Sequence, residues 1–274
     1  MALFCLLAGV LTAGLLFPFV GGAGVLSNTA SESVEQDSEA ILDGDVPAVS
    51  TMVDAAGNTI AWIYLQRRFQ VPTERIADTM KLAIVSIEDK RFAEHNGVDL
   101  QGTLTGLAGY LKGAVDTRGG STIEQQYVKN FNLLVNARTE AERQAAVETT
   151  PTRKLREIRM ALALSKTLTK PEILTRYLNL VPFGNGAYGI QDAARTYFGI
   201  NAADLNWQQA ALLAGLVQST SALNPYTNPE GALERRNLVL DTMIQNLPEY
   251  ADDLRAAREQ PLGVLPRPSP VPQG

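Results

Sequence analysis

Residues Ala2 to Ala30 carry no charged side chain, and Ala2 to Leu26 are almost wholly apolar. A bilayer core is crossed by roughly 20 such residues in a helix. This run therefore reads as a transmembrane anchor, residues 1–27, with Pro18 in its outer third. A cleaved signal peptide is the competing reading, but its apolar core would run only about 7–15 residues. From Glu32 to Asp54 there are seven acidic residues and no Lys or Arg; the first basic residue is Arg67. Positive charge favours the cytoplasmic side. The acidic flank thus predicts a single-pass protein whose body lies on the extracellular side of the cell membrane.

Residues 28–45 are Ser-rich and acidic and read as a linker. The body, residues 46–250, is long enough for one well-buried domain. Residues 251–274 form a tail, with five prolines between Pro261 and Gly274. The net charge of −5 disfavours nucleic acid as a partner. Cys5 is the only cysteine and His95 the only histidine, so a disulfide framework and a His/Cys metal centre are both excluded.

Ala48 to Gln66 is rich in β-branched and aromatic residues around Ala55-Ala56-Gly57-Asn58, the pattern of a hairpin. Beyond it the periodicity is helical. Helices are expected over Thr73–Arg91 with Thr73 as N-cap, over Leu100–Val115, and from Ser121, where Ser121-Thr-Ile-Glu124 has the form of a capping box. Asn136–Pro151 reads as a polar, charged connector, with a helix over part of it as the alternative. More helices are expected over Arg153–Leu168, from a second capping box at Thr169 to about Val181, and over Ile190–Phe198, Ala203–Gln218 and Pro229–Leu247. There is no βαβ alternation and no phosphate loop, which disfavours a nucleotide-binding fold.

Three clusters could carry chemistry. Glu88 ends an apolar helix stripe, where partial desolvation raises a carboxylate toward the range of a general base. Pairing with Arg91 is the plain alternative. Asp89 and His95 follow; a lone histidine usually serves as a hydrogen-bonding group. In the second cluster, Gly119-Gly120 precedes a helix start whose N–H groups suit phosphate. Ser121, Gln125, Gln126 and Lys129 lie on or near that start. In the third, Arg153, Lys154 and Glu157 share one helix face. The two bases could hold a pyrophosphate; Glu157 is either a second functional carboxylate or their salt-bridge partner.

Taken in order, these segments resemble glycosyltransferase family 51, the peptidoglycan glycosyltransferase domain of class A penicillin-binding proteins. Glu88-Asp89-Lys90-Arg91-Phe92-Ala93-Glu94-His95-Asn96-Gly97 fits its first motif, Gly119 to Asn130 its second and Arg153 to Glu157 its third. Lys170-Pro-Glu-Ile-Leu174 runs into Tyr177-Leu178-Asn179 and Phe183 to Gly189 as its fourth. A late segment, Asn224-Pro225 through Arg235-Arg236-Asn237 to Met243, is also similar. The chain departs at Ser165, where the family often has glutamate, and has no Ser-x-x-Lys of a transpeptidase. The tail is therefore expected to lead toward an absent transpeptidase domain.

The resemblance implies a mainly α, lysozyme-like domain with a small β-containing membrane-proximal lobe. It implies polymerisation of lipid II onto a lipid-linked glycan strand, with inversion, β-1,4 linkage and release of undecaprenyl pyrophosphate. Glu88 is implied as the base and Glu157 as a second essential carboxylate. Asp89, His95, Ser121, Gln125, Lys129, Arg153 and Lys154 are implied to bind substrate. No cofactor is required; a divalent cation, Mg2+ or Mn2+, is an option beside Glu157. Cell-wall synthesis proteins are the expected partners. A membrane-bound lytic transglycosylase and a non-catalytic scaffold are the alternatives.

Overall fold

The computed structural model describes residues 41–42, 46–102 and 121–267. The chain divides into two compact units, Met1–Gly44 and Asp45–Gly274. The anchor expected over Ala2–Leu26 lies outside the described residues. So does most of the helix expected over Leu100–Val115. Among the described residues no helix is long and apolar enough to cross a membrane.

The second unit is mostly helical with two small sheets. It opens on the expected hairpin, β1 (Ser50–Val53) against β2 (Thr59–Ile63), antiparallel with Thr51 opposite Trp62. Asp54 fixes the turn, its carboxylate accepting from the Ala56 and Asn58 N–H groups. A second sheet was not foreseen. In it β3 (Arg67–Arg68) pairs in parallel with β5 (Ala187–Tyr188), which pairs antiparallel with β4 (Pro182–Gly184). Asn185 and Gly186 both have positive φ, as a two-residue hairpin turn between β4 and β5 requires. These strands are two or three residues long, too short for a period-2 signal. Arg68 pins the sheet: it is fully buried and donates to Pro47 O, Gln66 Oε1 and Leu180 O. Burial pulls its guanidinium down to about 10.

The helices are α1 (Asp78–Glu88), α2 (Ile123–Phe131), α3 (Glu140–Val147), α4 (Pro151–Thr167), α5 (Lys170–Leu180), α6 (Ile190–Phe198), α7 (Trp207–Leu216), α8 (Pro229–Asn246) and α9 (Ala251–Arg258). The central one is α7. It is buried along Ala210–Leu216 and packs against α1 and α8, as a helix apolar all round must be in a soluble domain. At Gly215 an added Cβ would sit 3.0 Å from Arg235 Cγ, so α7 and α8 cross closely there.

Several boundaries differ from expectation for identifiable reasons. Thr73 opens only a single 3-10 turn, Thr73–Arg75; α1 begins at Asp78 because the Ala77 N–H is taken by Ala202 O. Ser121 is not the N-cap of α2. Thr122 holds that place, accepting from Gln125 N, while Glu124 is buried against Lys170 instead of closing a capping box. A π turn, Asn132–Asn136, follows α2, and the polar connector holds a helix over part of its length, α3, which starts at a Thr139–Glu142 capping box. The Thr169–Glu172 capping box is present as expected. α7 starts later than Ala203, at an Asn206–Gln209 box. Residues 251–258, assigned to the tail, form α9. Buried Arg236 holds its end by donating to Arg258 O and Gln260 O.

The loop after α1 is the joint that sets the site. Thr122 donates to Gly97 O, and Ile123 N donates to Asp89 Oδ2, so α2 begins where that loop allows. Gly97 has φ +87, and a Cβ there would meet Ala161 O at 2.5 Å. The substitution Gly97→Ala is therefore expected to destabilise by about 1–3 kcal/mol from the backbone conformation alone. Its measurement is a lower urea midpoint with an unchanged m-value.

Candidate active site

Three segments converge on α2, each meeting a different face. Gln126 faces α1: its Nε2 donates to Glu88 Oε2 at 2.9 Å. Gln125 faces α4: its Oε1 accepts from Lys154 Nζ at 2.7 Å, and Ser121 Oγ accepts from the same ammonium at 2.7 Å. Glu124 points into the core, where Lys170 Nζ donates to it at 2.6 Å. Consecutive helix positions turn by about 100°, which is how three neighbours reach three partners.

Glu88 lies at the last turn of α1 with its side chain 16% exposed. Burial pushes its carboxyl above the usual range, opposed by the Gln126 hydrogen bond and by the charges of Arg235 and Lys129. The expected Arg91 pairing is not made; Arg91 binds Asp99 at 2.6 Å. On α4, Arg153 pairs with Glu157, and Lys154 stands 3.8 Å from the same carboxylate. Burial raises the Glu157 carboxyl, against the pull of Arg153, Lys154 and Lys129. Burial also lowers the Lys154 ammonium; Glu157 opposes that, whereas Arg153 and Lys129 add to it.

Lys129 therefore acts electrostatically on Glu88, Lys154 and Glu157 together. Among the described residues it has no carboxylate within salt-bridge range. The site is thus a largely buried carboxylate at one end and a three-cation cradle at the other, joined through Lys129. Such an arrangement can hold a multiply charged anion beside a proton acceptor.

Asp89 and His95 are tied to each other and to the start of α2. Asp89 is buried and His95 half-buried; His95 Nε2 lies 2.9 Å from Asp89 Oδ1, and Asp89 Oδ2 takes the Ile123 N–H. They brace the start of α2 beneath the site. Ser165, the departure from the family pattern, lies under the Gly97 loop with its hydroxyl buried. Two residues escaped the sequence reading. Gln126 was noted only as one of a pair. Arg235, 4.0 Å from Glu88 Oε1, is 147 positions away in the chain, and no local pattern connects the two.

A divalent cation finds a poor set of ligands here. Glu157 already faces Arg153, Lys154 and Lys129. Asp89, His95 and Glu124 bring donor atoms within 4.8 Å of one another. Yet the Lys170 ammonium against Glu124, and the His95 and Ile123 donors against Asp89, already fill that place.

The family model described as "Transglycosylase" matches residues 56–244. "Penicillin-binding protein 1A" of Aquifex aeolicus is 35% identical over 219 residues, 80% of this chain and 28% of that protein. "Penicillin-binding protein 1A/1B" of Bacillus subtilis is 37% identical over 225 residues, 82% of this chain and 23% of that protein. "Penicillin-binding protein 1A" of Streptococcus oralis is 37% identical over 234 residues, 85% of this chain and 33% of that protein. The chain spans about a quarter to a third of the length of these relatives.

Proposed function

The chain belongs to the transglycosylase family, and from that premise we propose that it is a peptidoglycan glycosyltransferase that polymerises lipid II. In this reading the domain is lysozyme-like and residues 2–26 anchor it in the cell membrane. The body lies on the outer side, and the tail leads to a further domain. Other cell-wall synthesis proteins are its partners.

The growing strand, linked to undecaprenyl pyrophosphate, is the donor and an incoming lipid II is the acceptor. Glu88 takes the proton of the acceptor 4-hydroxyl. The oxygen attacks the anomeric carbon from the face opposite the diphosphate, giving inversion and a β-1,4 bond. The diphosphate leaves with the bonding electron pair into the charge of Lys129, Arg153 and Lys154. A diphosphate is already a good leaving group and needs charge stabilisation more than a proton. That accounts for one base facing cations, in place of the two spaced carboxyl groups of a glycosidase. Glu157 holds Arg153 and Lys154 in position.

The observation that supports this reading most is that neighbouring positions of α2 touch both ends of the site, Gln126 donating to Glu88 and Gln125 accepting from Lys154, which stands with Arg153 at Glu157. It also disfavours a lytic enzyme, whose substrate carries no diphosphate. Labelled lipid II incubated with the protein should yield glycan chains and undecaprenyl pyrophosphate. Cleavage of purified cell wall without polymer formation would overturn the proposal. Glu88 must be ionised to act, and its carboxyl is pushed above the ordinary glutamate value. Turnover should therefore be full above that raised value and lost as pH falls through it, with the acid limb of the kcat profile above pH 4.5.

A further inference from the structure

We propose that Tyr177 is a positioning residue for this reaction: acting through the Gln126 carboxamide, its hydroxyl fixes the Glu88 carboxylate and leaves Oε1 as the oxygen that takes the proton. The inference rests on Glu88 being the base. Tyr177, on α5, is fully buried, and its hydroxyl donates to Gln126 Oε1 at 2.8 Å. Gln126 Nε2 then donates to Glu88 Oε2 at 2.9 Å.

A carboxamide has nearly the same shape in either flip but opposite polarity. Turned round, Gln126 would set a carbonyl lone pair against an ionised Glu88. A protonated phenol opposes this: against the turned amide it could only accept, and its buried O–H would lose the acceptor it has in Gln126 Oε1. Burial, with Glu88 and Asp89 nearby, pushes the Tyr177 phenol well above its ordinary value, so it remains a donor throughout the working pH range. Glu88 Oε2 is thereby occupied. Oε1 lies toward the Arg235 guanidinium, 4.0 Å away and beyond hydrogen-bond distance.

The amide bond favours the ionised carboxylate and offsets part of the burial effect. The other groups acting on Glu88 are Lys129 on α2, Arg235 on α8 and the neighbouring Asp89. α7, packed along α1, carries no titratable side chain. Lys129 and Arg235 favour ionisation and Asp89 opposes it, whatever residue stands at 177.

The test is the Glu88 titration, read by carbon-13 NMR on protein labelled at its glutamate carboxyls. The Glu88 signal is identified by its loss in Glu88→Gln. Tyr177→Phe keeps the ring in its pocket and frees the amide. It should raise the Glu88 midpoint by about one pH unit, as loss of a hydrogen bond to a charged group does. It should also lower kcat about ten-fold with KM unchanged and move the acid limb upward by the same interval. Gln126→Met should raise the midpoint too, and adding Tyr177→Phe to it should change nothing more. An unmoved midpoint in Tyr177→Phe, or an equal further shift in the Gln126→Met background, would overturn the proposal. Polymerisation by the unmodified protein tests the reaction and the titration tests the hydrogen-bond chain, so the two fail separately.

Discussion

Glu88→Gln is expected to fold as the parent does and to lose polymerisation by about 10²–10⁴-fold, the range for removal of a positioned general base. The two side chains are of equal length. The new amide can present its oxygen to Gln126 Nε2 and keep the 2.9 Å contact, so the packing of α1 on α7 and α8 need not change. What disappears is the ability to hold a proton. Lipid II turnover should fall with far-ultraviolet circular dichroism unchanged.

Stability supplies an independent check. The folded-state carboxyl of Glu88 is raised. Its contribution to stability is therefore fully present below the unfolded value and is lost as pH rises through the folded one. At neutral pH the buried, ionised Glu88 is a burden that the amide lacks. The variant should melt above the parent near pH 7, and the two melting temperatures should converge as pH falls. A folded Glu88→Gln protein turning over at the parent rate would end the assignment.

The places where sequence and structure part share a physical cause. Helices with a continuous apolar stripe were legible, as at α5 and α8, because tertiary packing and local pattern agree there. So was the cradle, since Arg153, Lys154 and Glu157 lie within five residues and one face follows from helix spacing. Ser121-x-x-Glu124 misled because a capping glutamate and a buried ion-paired glutamate look alike in one dimension. Only Lys170, 46 positions later, distinguishes them. Asp89 and His95 have a tie to α2 that the motif does not display. They adjoin Glu88 in the chain, and in space Asp89 takes the first N–H of α2 while His95 pairs with Asp89. Arg235 and Tyr177 reach Glu88 only through the fold.

Lys170→Met is expected to lower stability by about 3–5 kcal/mol, the cost of leaving a buried carboxylate without its partner. Glu124 is fully buried, and among the described residues Lys170 Nζ, 2.6 Å from its Oε1, is the one side chain that donates to it, while Oε2 accepts from none. The same ammonium lies 4.3 Å from the centroid of the Phe92 ring, so methionine would still cover the ring while removing the charge. The uncompensated Glu124 must then either stay ionised in an apolar setting or take up a proton at neutral pH, and both are unfavourable. Chemical denaturation should show the lower midpoint. The further change Glu124→Leu in the same chain should restore most of the loss, because apolar replacement of both members of a buried pair is often close to neutral. If Lys170→Met alone kept the parent stability, the pair would not be holding α2 to α5. The placement of Gln125, Gln126 and Lys129 would then need another support.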